Sequence, residues 1–352
     1  MHSEDLLYLH RSLHLAKLGS SAVFPNPQVG AVVVHQGRII GEGYHAYAGG
    51  PHAEVVALGA VQHPAWLPDA TIYVSLEPCS YHGKTPPCAD LIVRHRLARV
   101  VVGCQDPNPR VSGSGIARMR AAGIEVVLAP DPRPFEALNR AFFINQQEQR
   151  PRITLKWAET CDGFVARLDA SGQPLPLPIT GPQAQAFTHK LRAAHHVIAT
   201  GRRTVAADNP RLDTRHYYGA SPQRLIFDPD LRLPTDLHAF APTAPVWILS
   251  RHRHETQGHL HYIVPSQWDD LDLLTRELYT RYGLCSLFIE GGPTLLQGFL
   301  DQGVYDEVHI LQAPTSLGQG LPAPRRPAHL RIEAAGYLGP DLHLHGVRQP
   351  RA

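Results

Sequence analysis

Apolar positions in the first third of the chain alternate between two periodicities. A helical stripe begins the chain and ends at Gly19, with leucines at positions 6, 7, 9, 13, 15 and 18. Short apolar runs typical of strands follow at 29–35, 38–43, 70–76, 99–103 and 124–128. Helical patterns lie between them at 53–61, 88–95 and 115–122. This alternation predicts an α/β sheet with helices on its faces.

A proline-rich stretch at 129–134 interrupts this pattern, and a helical run from Phe135 to about Gln147 follows it. We therefore predict two domains, 1–148 and 149–352. In the second, strands are predicted at 153–157, 196–199, 224–227, 246–249, 261–264, 286–289 and 307–312, and helices at 182–194, 269–282 and 293–302. Residues 175–178 are predicted to form a loop, and the last thirty residues have no assignment. This half is also predicted to be α/β.

Charge and cysteine usage narrow the class of protein. The formal net charge is +2, so no basic field favours nucleic acid or a membrane surface. The five cysteines are odd in number and scattered, which does not indicate a disulfide framework. The N-terminus does not resemble a signal peptide, and no apolar run reaches the roughly 18 residues of a membrane span. We expect a cytoplasmic protein that acts on a small molecule.

Candidate metal ligands are concentrated in the first half. His52-Ala53-Glu54 stands at the start of a predicted helix, Cys79 follows Glu77-Pro78, and Cys88 follows two prolines. One imidazole and two thiolates would bind zinc and leave a fourth position open, as in catalytic sites. Glu54 lies on the same helical turn as His52, where its carboxylate could move a proton. This order of residues is typical of zinc deaminases.

The cysteines are separated by residues 80–87, whereas deaminases of cytidine or tRNA adenosine usually have Cys-x-x-Cys. The stretch LEPCSYHGKTPPC, preceded by FPNPQVGAVVV and GEGYHAYAGGPHAE, resembles the riboflavin-pathway deaminase–reductase family. The resemblance implies a cytidine-deaminase-like three-layer domain. It also implies hydrolytic loss of the 2-amino group from 2,5-diamino-6-ribosylamino-4(3H)-pyrimidinone 5′-phosphate. His52, Cys79 and Cys88 would bind Zn²⁺, and Glu54 would be catalytic.

The same resemblance implies substrate contacts around this site. The matching positions are Asn26, His45, His82, Lys84, Asp106 and Asn108. Cationic His82 and Lys84 suit a phosphate, whereas amides and carboxylates suit a heterocycle edge or sugar hydroxyls. The alternative is turn formation, because Asn and Asp beside proline commonly make turns.

One motif in the second half suggests a nucleotide site. The predicted strand 286–289 is followed by Gly291-Gly292 and a helix that begins at Pro293. The N-terminus of such a helix suits a phosphate, although an ordinary strand-to-helix turn looks the same. No G-x-G-x-x-G fingerprint follows the strand, which disfavours a Rossmann domain.

The family resemblance extends through this half, in segments at 155–158, 162–163, 179–180, 201–205, 208–212 and 290–294. It implies a dihydrofolate-reductase-like domain that uses NADPH to reduce the ribosyl side chain to ribityl, with Lys156 and Glu290 as catalytic residues. The residues implied to hold NADPH are Ala158, Thr204, Asp208, Gly292, Pro293, Thr294, Leu295, Leu296, Gln297 and Gly298. Those implied to contact substrate are Thr180, Arg192, Leu212, Arg215 and Glu290, besides Lys156. A homo-oligomer (dimer or tetramer) is also implied.

Several positions depart from the family pattern. Pro176 and Pro178 replace the usual Ser and Trp, Thr315 replaces Lys, and Cys161 replaces Leu. Proline removes a backbone donor and fixes φ, so an active deaminase with an impaired reductase is one alternative. A deaminase of RNA or another nucleobase is a second, which the near-neutral charge disfavours. A structural zinc protein, with Cys104 as fourth ligand, is a third.

Overall fold

The computed structural model describes residues 3–81, 86–108, 112–175 and 177–349. The chain divides into two compact units, Met1–Gln149 and Arg150–Ala352. Within the described residues, no helix combines the length and apolar character needed to cross a bilayer.

The first unit is a five-stranded sheet covered by helices on both faces. Its strands are β1 (Gly30–His35), β2 (Arg38–Tyr44), β3 (Thr71–Val74), β4 (Arg99–Val102) and β5 (Glu125–Leu128). Its helices are α1 (Ser3–Ala16), α2 (Ala53–Gly59), α3 (Cys88–Arg94), α4 (Ser114–Ala121), α5 (Arg133–Leu138) and α6 (Arg140–Glu148). The strand order is β2-β1-β3-β4-β5, with β1 antiparallel to its neighbours and β3, β4 and β5 parallel.

Side chains along each strand point alternately to the two faces of the sheet, and helices pack on both faces, which gives three layers. Val32 and Val101 pack with Leu9 and Leu13 of α1 on one face of the sheet. Neighbouring strand residues such as Val33 point to the other face, where they join a core with α2, α3 and α4. Because strand side chains alternate between faces, continuous apolar strands require a helical layer on each side. The predicted three-layer α/β organisation is confirmed.

The predicted single helix from Phe135 to Gln147 is wrong, because the segment forms two helices that meet at Asn139. The Asn139 side chain accepts from the backbone N–H of Gln28 (2.7 Å) and donates to its carbonyl (2.9 Å). Both bonds hold Asn139 at φ −101° and ψ 22°, outside helical geometry. This contact links distant parts of the chain, so helical periodicity did not reveal it.

The second unit is built on a ten-stranded sheet. Its helices are α7 (Pro182–Ala193), α8 (Arg202–Asp208), α9 (Leu271–Tyr282) and α10 (Pro293–Gln302). Its strands are β6 (Arg152–Thr160), β7 (Phe164–Leu168), β8 (Pro174–Leu175), β9 (Val197–Gly201), β10 (Gln223–Phe227), β11 (Val246–Leu249), β12 (Glu255–Gln257), β13 (Leu260–Ile263), β14 (Ser286–Glu290), β15 (Glu307–Ala313), β16 (Leu321–Pro322), β17 (Leu330–Leu338) and β18 (Asp341–Arg348).

The order of the large sheet, β12-β13-β11-β10-β9-β14-β6-β15-β18-β17, places β14 between β9 and β6. Strands β9, β14, β6 and β15 run parallel, so their carboxyl ends lie along one edge. In such sheets ligands bind beyond the carboxyl ends of the strands. Two predictions were incomplete. Pro174–Leu175, at the start of the predicted loop, forms a short strand. The C-terminal residues that had no assignment contain the β17–β18 hairpin.

The buried His195 predicts how the stability of this unit depends on pH. Its Nδ1 lies 2.7 Å from the Leu191 carbonyl and its Nε2 2.8 Å from Thr154 Oγ1. Burial, with the charge of Arg152, lowers the pKa of His195 to about 4. Since the unfolded chain binds this proton near pH 6.5, the contribution of His195 to stability is full above that pH and falls as pH drops toward 4, by about 2 kcal/mol at pH 5. Burial also lowers the pKa of His189, His196 and His309, so they act in the same direction.

The measurement is urea unfolding at pH 7.5 and pH 5, followed by fluorescence of Trp157, Trp247 and Trp268. His195→Gln, which cannot titrate, should lose about 2 kcal/mol of this pH dependence. An identical pH dependence in the wild type and the variant would show that His195 does not contribute.

Candidate active sites

The three predicted zinc ligands come together at the amino-terminal ends of two helices. His52 is the residue before α2, Cys88 is the first residue of α3, and Cys79 lies in the loop after β3. His52 Nδ1 is 3.3 Å from Cys88 Sγ and 3.6 Å from Cys79 Sγ. Zinc with bonds of about 2.0 Å to nitrogen and 2.3 Å to sulfur places neighbouring tetrahedral ligands about 3.6 Å apart. The donor set and its spacing therefore fit zinc.

The surroundings of Cys79 favour the thiolate form that a metal requires. The hydrogen bond with the Cys88 side chain is the main influence that lowers the pKa of Cys79, against the effect of burial, and the same contact raises the pKa of Cys88. The Cys88 backbone N–H also donates to Cys79 Sγ (3.3 Å). Of the two thiols, Cys79 is therefore the one that ionises more readily.

Glu54 is buried in the first turn of α2, directly beside these ligands. Burial raises the pKa of Glu54, and the negative charge of Cys79 raises it further. A carboxylate with a raised pKa is a stronger base, so it takes up a proton more readily. The carboxylic acid that forms can then pass the proton to a basic leaving group. The position suits proton transfer next to the metal.

Cys104, the proposed fourth ligand of a closed structural site, is not part of this group. Its thiol donates to the Ser75 carbonyl (3.5 Å), and burial raises its pKa. A zinc ion held by the other three residues would keep an open position.

Asn26 and His45 form one hydrogen-bonded unit next to His52. His45 Nδ1 lies 2.9 Å from the Pro51 carbonyl, which can only accept, so Nδ1 carries the proton. Nε2 therefore accepts from the Asn26 amide (3.1 Å). Burial lowers the pKa of His45, which keeps the ring neutral. The ring packs edge-on against His52 at 5.8 Å.

Glu77 organises the loop that carries Asp106 and Asn108, a role that the sequence patterns did not indicate. Its buried carboxylate accepts from the backbone N–H groups of Asp106 (3.2 Å), Gly113 (2.9 Å), Gly115 (3.0 Å) and Ile116 (3.2 Å). Asp106 Oδ1 in turn accepts from the Asn108 N–H (2.8 Å), which is turn chemistry of the kind considered above. His82 and Lys84 lie outside the described residues.

We predict that Glu77→Ala destabilises the first unit by at least about 3 kcal/mol, because each buried N–H left without an acceptor costs about 1–3 kcal/mol. Chemical denaturation measures this loss. Glu125→Ala removes an exposed carboxylate paired with Arg99 and is expected to cost less than about 1 kcal/mol. Equal effects of the two substitutions would contradict the assignment.

The second unit places Lys156, Arg192 and Glu290 in one ion-pair network. Glu290, the last residue of β14, and Lys156, in the middle of β6, are register partners. Lys156 Nζ donates to Glu290 Oε1 (3.0 Å), and Arg192 Nε donates to Oε2 (2.9 Å). Although burial raises the pKa of Glu290, the charges of Arg192 and Lys156 bring it down to about 2. Glu290 is therefore a carboxylate at neutral pH.

The remaining predicted substrate residues lie at different distances from this network. Arg192 donates to the Asp213 carbonyl (2.9 Å), and exposed Arg215 pairs with the Asp213 carboxylate (2.5 Å). Leu212 is buried with φ at +56°, an uncommon conformation for a branched residue that this loop holds in place. The described contact of Thr180 is between its carbonyl and Gln185, away from the network.

His189 was not predicted, yet it lies among the same charges. It is 4% exposed, and its Nδ1 has no hydrogen-bond partner among the described residues. Burial, followed by the charges of Arg192 and Arg215, lowers its pKa to about 4. A buried ring nitrogen without a partner is costly, which is consistent with a position reserved for a ligand. In the sequence, the one sign of a role for His189 is its position on α7, one turn before Arg192.

Part of the predicted NADPH set, Gly292 and Thr204, lies where β9 and β14 end. A Cβ on Gly291 would lie 2.7 Å from Thr200 Oγ1, and one on Gly292 would lie 3.2 Å from Thr204 Oγ1. Thr200 Oγ1 is buried without a hydrogen-bond partner in the described part of the chain. Two helices, α8 and α10, begin beside these glycines with free N–H groups. A close backbone cradle with an unpaired hydroxyl fits a nucleotide phosphate.

Other residues of the predicted cofactor set have different environments. Ala158 is half-buried on β6, and Asp208 is exposed at the end of α8. Leu296 is fully buried in the core, so only its backbone is available to a ligand. The Gln297 side chain bonds to Asp301 and to the Arg325 N–H. Pro293, Thr294, Leu295 and Gly298 lie on the first turns of α10.

Comparison with known proteins identifies both halves. Residues 2–104 match the cytidine and deoxycytidylate deaminase zinc-binding region, and residues 151–344 match the RibD C-terminal domain. The riboflavin biosynthesis protein RibD of Aquifex aeolicus is 38% identical over 90% of this chain and 89% of its own. The chain belongs to the RibD family. RibD of Escherichia coli is 35% identical over 98% of this chain and 99% of its own.

Solved RibD structures are similar to this chain over nearly all of its length. RibD of Acinetobacter baumannii is 31% identical, with a TM-score of 0.87 over 99% of both chains. A Thermotoga maritima diaminohydroxyphosphoribosylaminopyrimidine deaminase/5-amino-6-(5-phosphoribosylamino)uracil reductase is 32% identical, with a TM-score of 0.87 over 98% of this chain and 99% of that one. As a RibD, this chain combines a zinc-binding, cytidine-deaminase-like domain with an NADPH-dependent, dihydrofolate-reductase-like domain. The predicted fold class, bifunctional activity and cofactors are confirmed.

Proposed function

We propose that this enzyme deaminates 2,5-diamino-6-ribosylamino-4(3H)-pyrimidinone 5′-phosphate and then reduces the ribosyl side chain of the product with NADPH. The observation that carries the proposal is the presence of two complete constellations, His52–Glu54–Cys79–Cys88 and Lys156–Arg192–Glu290. The name of the Thermotoga maritima relative states the corresponding pair of reactions.

In the deaminase half, we assign His52, Cys79 and Cys88 as the zinc ligands. A zinc ion held by these residues would supply a water molecule whose pKa is lowered toward about 7. Glu54 would accept a proton at its carboxylate and deliver it to the departing amino group. Neutral His45 holds the Asn26 amide oriented beside the metal ligands, and Asn26 presents it to the edge of the heterocycle. Asp106 and Asn108 are positioned by Glu77 to complete the substrate pocket.

In the reductase half, the backbone around Gly291 and Gly292 would hold the phosphates of NADPH, which would supply the hydride. Glu290 remains a carboxylate at neutral pH, so we assign the proton-donating role to the Lys156 ammonium group. Glu290 orients Lys156 and Arg192. Arg192 and Arg215 are the guanidinium groups available to the substrate phosphate.

The residues that depart from the family pattern do not support the alternative that the reductase is impaired. Two of them, Cys161 and Thr315, meet through a backbone hydrogen bond from the Cys161 N–H to the Thr315 carbonyl (3.0 Å), which does not depend on either side chain. Pro178 is exposed, and Pro176 lies outside the described residues. The Lys156–Glu290–Arg192 network is formed regardless of these changes.

The test is to supply the zinc-loaded protein with the diaminopyrimidine ribotide and to follow product masses. Deamination adds about one mass unit without NADPH, and reduction adds about two more when NADPH is present. The first change alone would overturn the reductase assignment, and neither change would overturn the substrate assignment.

We further propose that the enzyme works in the cytoplasm as a homo-oligomer. All five cysteines are free thiols, which suits a reducing compartment. The oligomer follows from the family resemblance, and light scattering of the purified protein would show a mass that is a multiple of 38.8 kDa. A monomeric mass would contradict it.

A further inference from the structure

A second group of metal-binding side chains lies on the reductase domain, where His309 of β15 is the register partner of Lys156 on β6. Strand β15 carries Glu307 and His309, and β18 carries His343 and His345. Each pair is spaced by one intervening residue, so both members project from the same face of the sheet. The antiparallel register places His309 opposite His345. The topology therefore gathers a carboxylate and three imidazoles on one patch.

The distances within this patch are those of a coordination group. The ligand atoms of Glu307, His309 and His345 all lie within 4.8 Å of one another. Glu307 Oε2 is 3.4 Å from His345 Nε2, and His343 Nε2 is 2.9 Å from His309 Nδ1. Around an ion with bonds of about 2.0–2.2 Å, neighbouring nitrogen and oxygen ligands are about 2.9–3.5 Å apart. Small adjustments would bring the group around one ion.

Side chains behind the patch hold the carboxylate in one orientation. Glu307 Oε1 accepts from Arg152 and from Thr154 Oγ1 (2.8 Å), which directs Oε2 toward His345. Glu307 and His309 are 5% and 7% exposed, whereas His345 is half-buried and gives access from solvent. Metal ligands are typically held in place by hydrogen bonds from residues behind them, as Glu307 is here. The charge of Arg152 next to the carboxylate should make binding weaker than at the thiolate site.

We propose that Glu307, His309 and His345 bind a divalent transition-metal ion of the zinc class, with His343 adding a fourth nitrogen at the edge of the group. Imidazole and carboxylate ligands together suit zinc, cobalt and nickel. The site is separate from the catalytic zinc, since its residues belong to the other unit of the chain. Its three ligands are not among the residues assigned to the proposed reactions.

Cobalt titration of the metal-free full-length protein tests this proposal. Cobalt at the His52–Cys79–Cys88 site has two thiolate ligands and gives an intense sulfur-to-metal absorption, whereas cobalt bound by imidazoles and a carboxylate gives only weak bands. We expect two cobalt ions per chain, of which the more weakly bound lacks the thiolate absorption. His345→Gln keeps a hydrogen-bond donor to Glu307. It should lower the affinity for the second cobalt ion at least about tenfold without changing the affinity for the first.

The matched variants separate the two sites. Cys88→Ser leaves Cys79 as the single thiolate of the first site, so it should weaken the thiolate absorption and retain the second ion. His254→Ala removes an exposed histidine of the same domain and should bind both ions as the wild type does. His309→Asn, checked for a native thermal transition, should repeat the effect of His345→Gln. A single cobalt ion per chain in the wild type would overturn the proposal. So would a second ion that is unchanged in both His345→Gln and His309→Asn.

Discussion

Glu54→Gln is expected to lower the deamination rate by about 10²- to 10⁴-fold while leaving the metal in place. The amide has the shape of the carboxyl group but cannot accept a proton from water or deliver it to the amino group. Glu54 is 3% exposed, so solvent cannot readily substitute for it as a base. Ammonia release from the diaminopyrimidine ribotide measures the rate, and elemental analysis measures bound zinc.

Two controls make this result interpretable. NADPH-dependent reduction of the already deaminated substrate should be unchanged in Glu54→Gln, because Lys156, Arg192 and Glu290 all lie in the other unit. Glu42→Gln alters a carboxylate of β2 that is paired with Arg11, and it should leave deamination unaffected. Zinc loss in Glu54→Gln would instead identify Glu54 as a ligand.

Lys156→Ala is expected to reduce the rate of NADPH-dependent reduction by about 100-fold or more, with deamination unchanged. The substitution removes the proposed proton donor and leaves the Glu290 carboxylate with Arg192 as its charged partner. Removing one member of a buried ion pair also costs stability, by about 3–5 kcal/mol in the cases that have been measured. NADPH oxidation measures the rate, and thermal unfolding measures the cost.

Lys190→Ala is the matched control, since Lys190 is exposed on α7 and should affect neither step. Lys156→Arg retains the charge next to Glu290 but is a much poorer proton donor, so it should restore stability more than activity. Equal loss of both activities in Lys156→Ala would contradict two separate sites.

The zinc site could be predicted from the sequence because its residues are chemically specific and come in a recognisable order. His52 and Glu54 share a helical turn, and both cysteines follow prolines. Glu77 belongs to the same motif, but its partners are backbone N–H groups at 106–116, which have no residue signature. A role that is defined by backbone contacts leaves no pattern for sequence reasoning to find.

The site in the reductase half was also harder to predict from the sequence, because its residues meet only in the folded sheet. Lys156 and Glu290 are distant in sequence and meet only because β6 and β14 are neighbours in register. The resemblance to a known family suggested both residues, whereas hydrophobic periodicity predicted only their strands. The β17–β18 hairpin was missed because β17 is largely exposed and β18 carries histidines at alternate positions, so neither has the apolar run of a buried strand.

The division of the chain between Gln149 and Arg150 has a genetic consequence. An allele that encodes the Glu54 substitution and an allele that encodes the Lys156 substitution should complement each other in one cell, because each polypeptide retains the step that the other has lost. Growth without added riboflavin would then depend on the intermediate leaving one polypeptide and reaching another. A strain carrying both substitutions on the same allele should remain a riboflavin auxotroph.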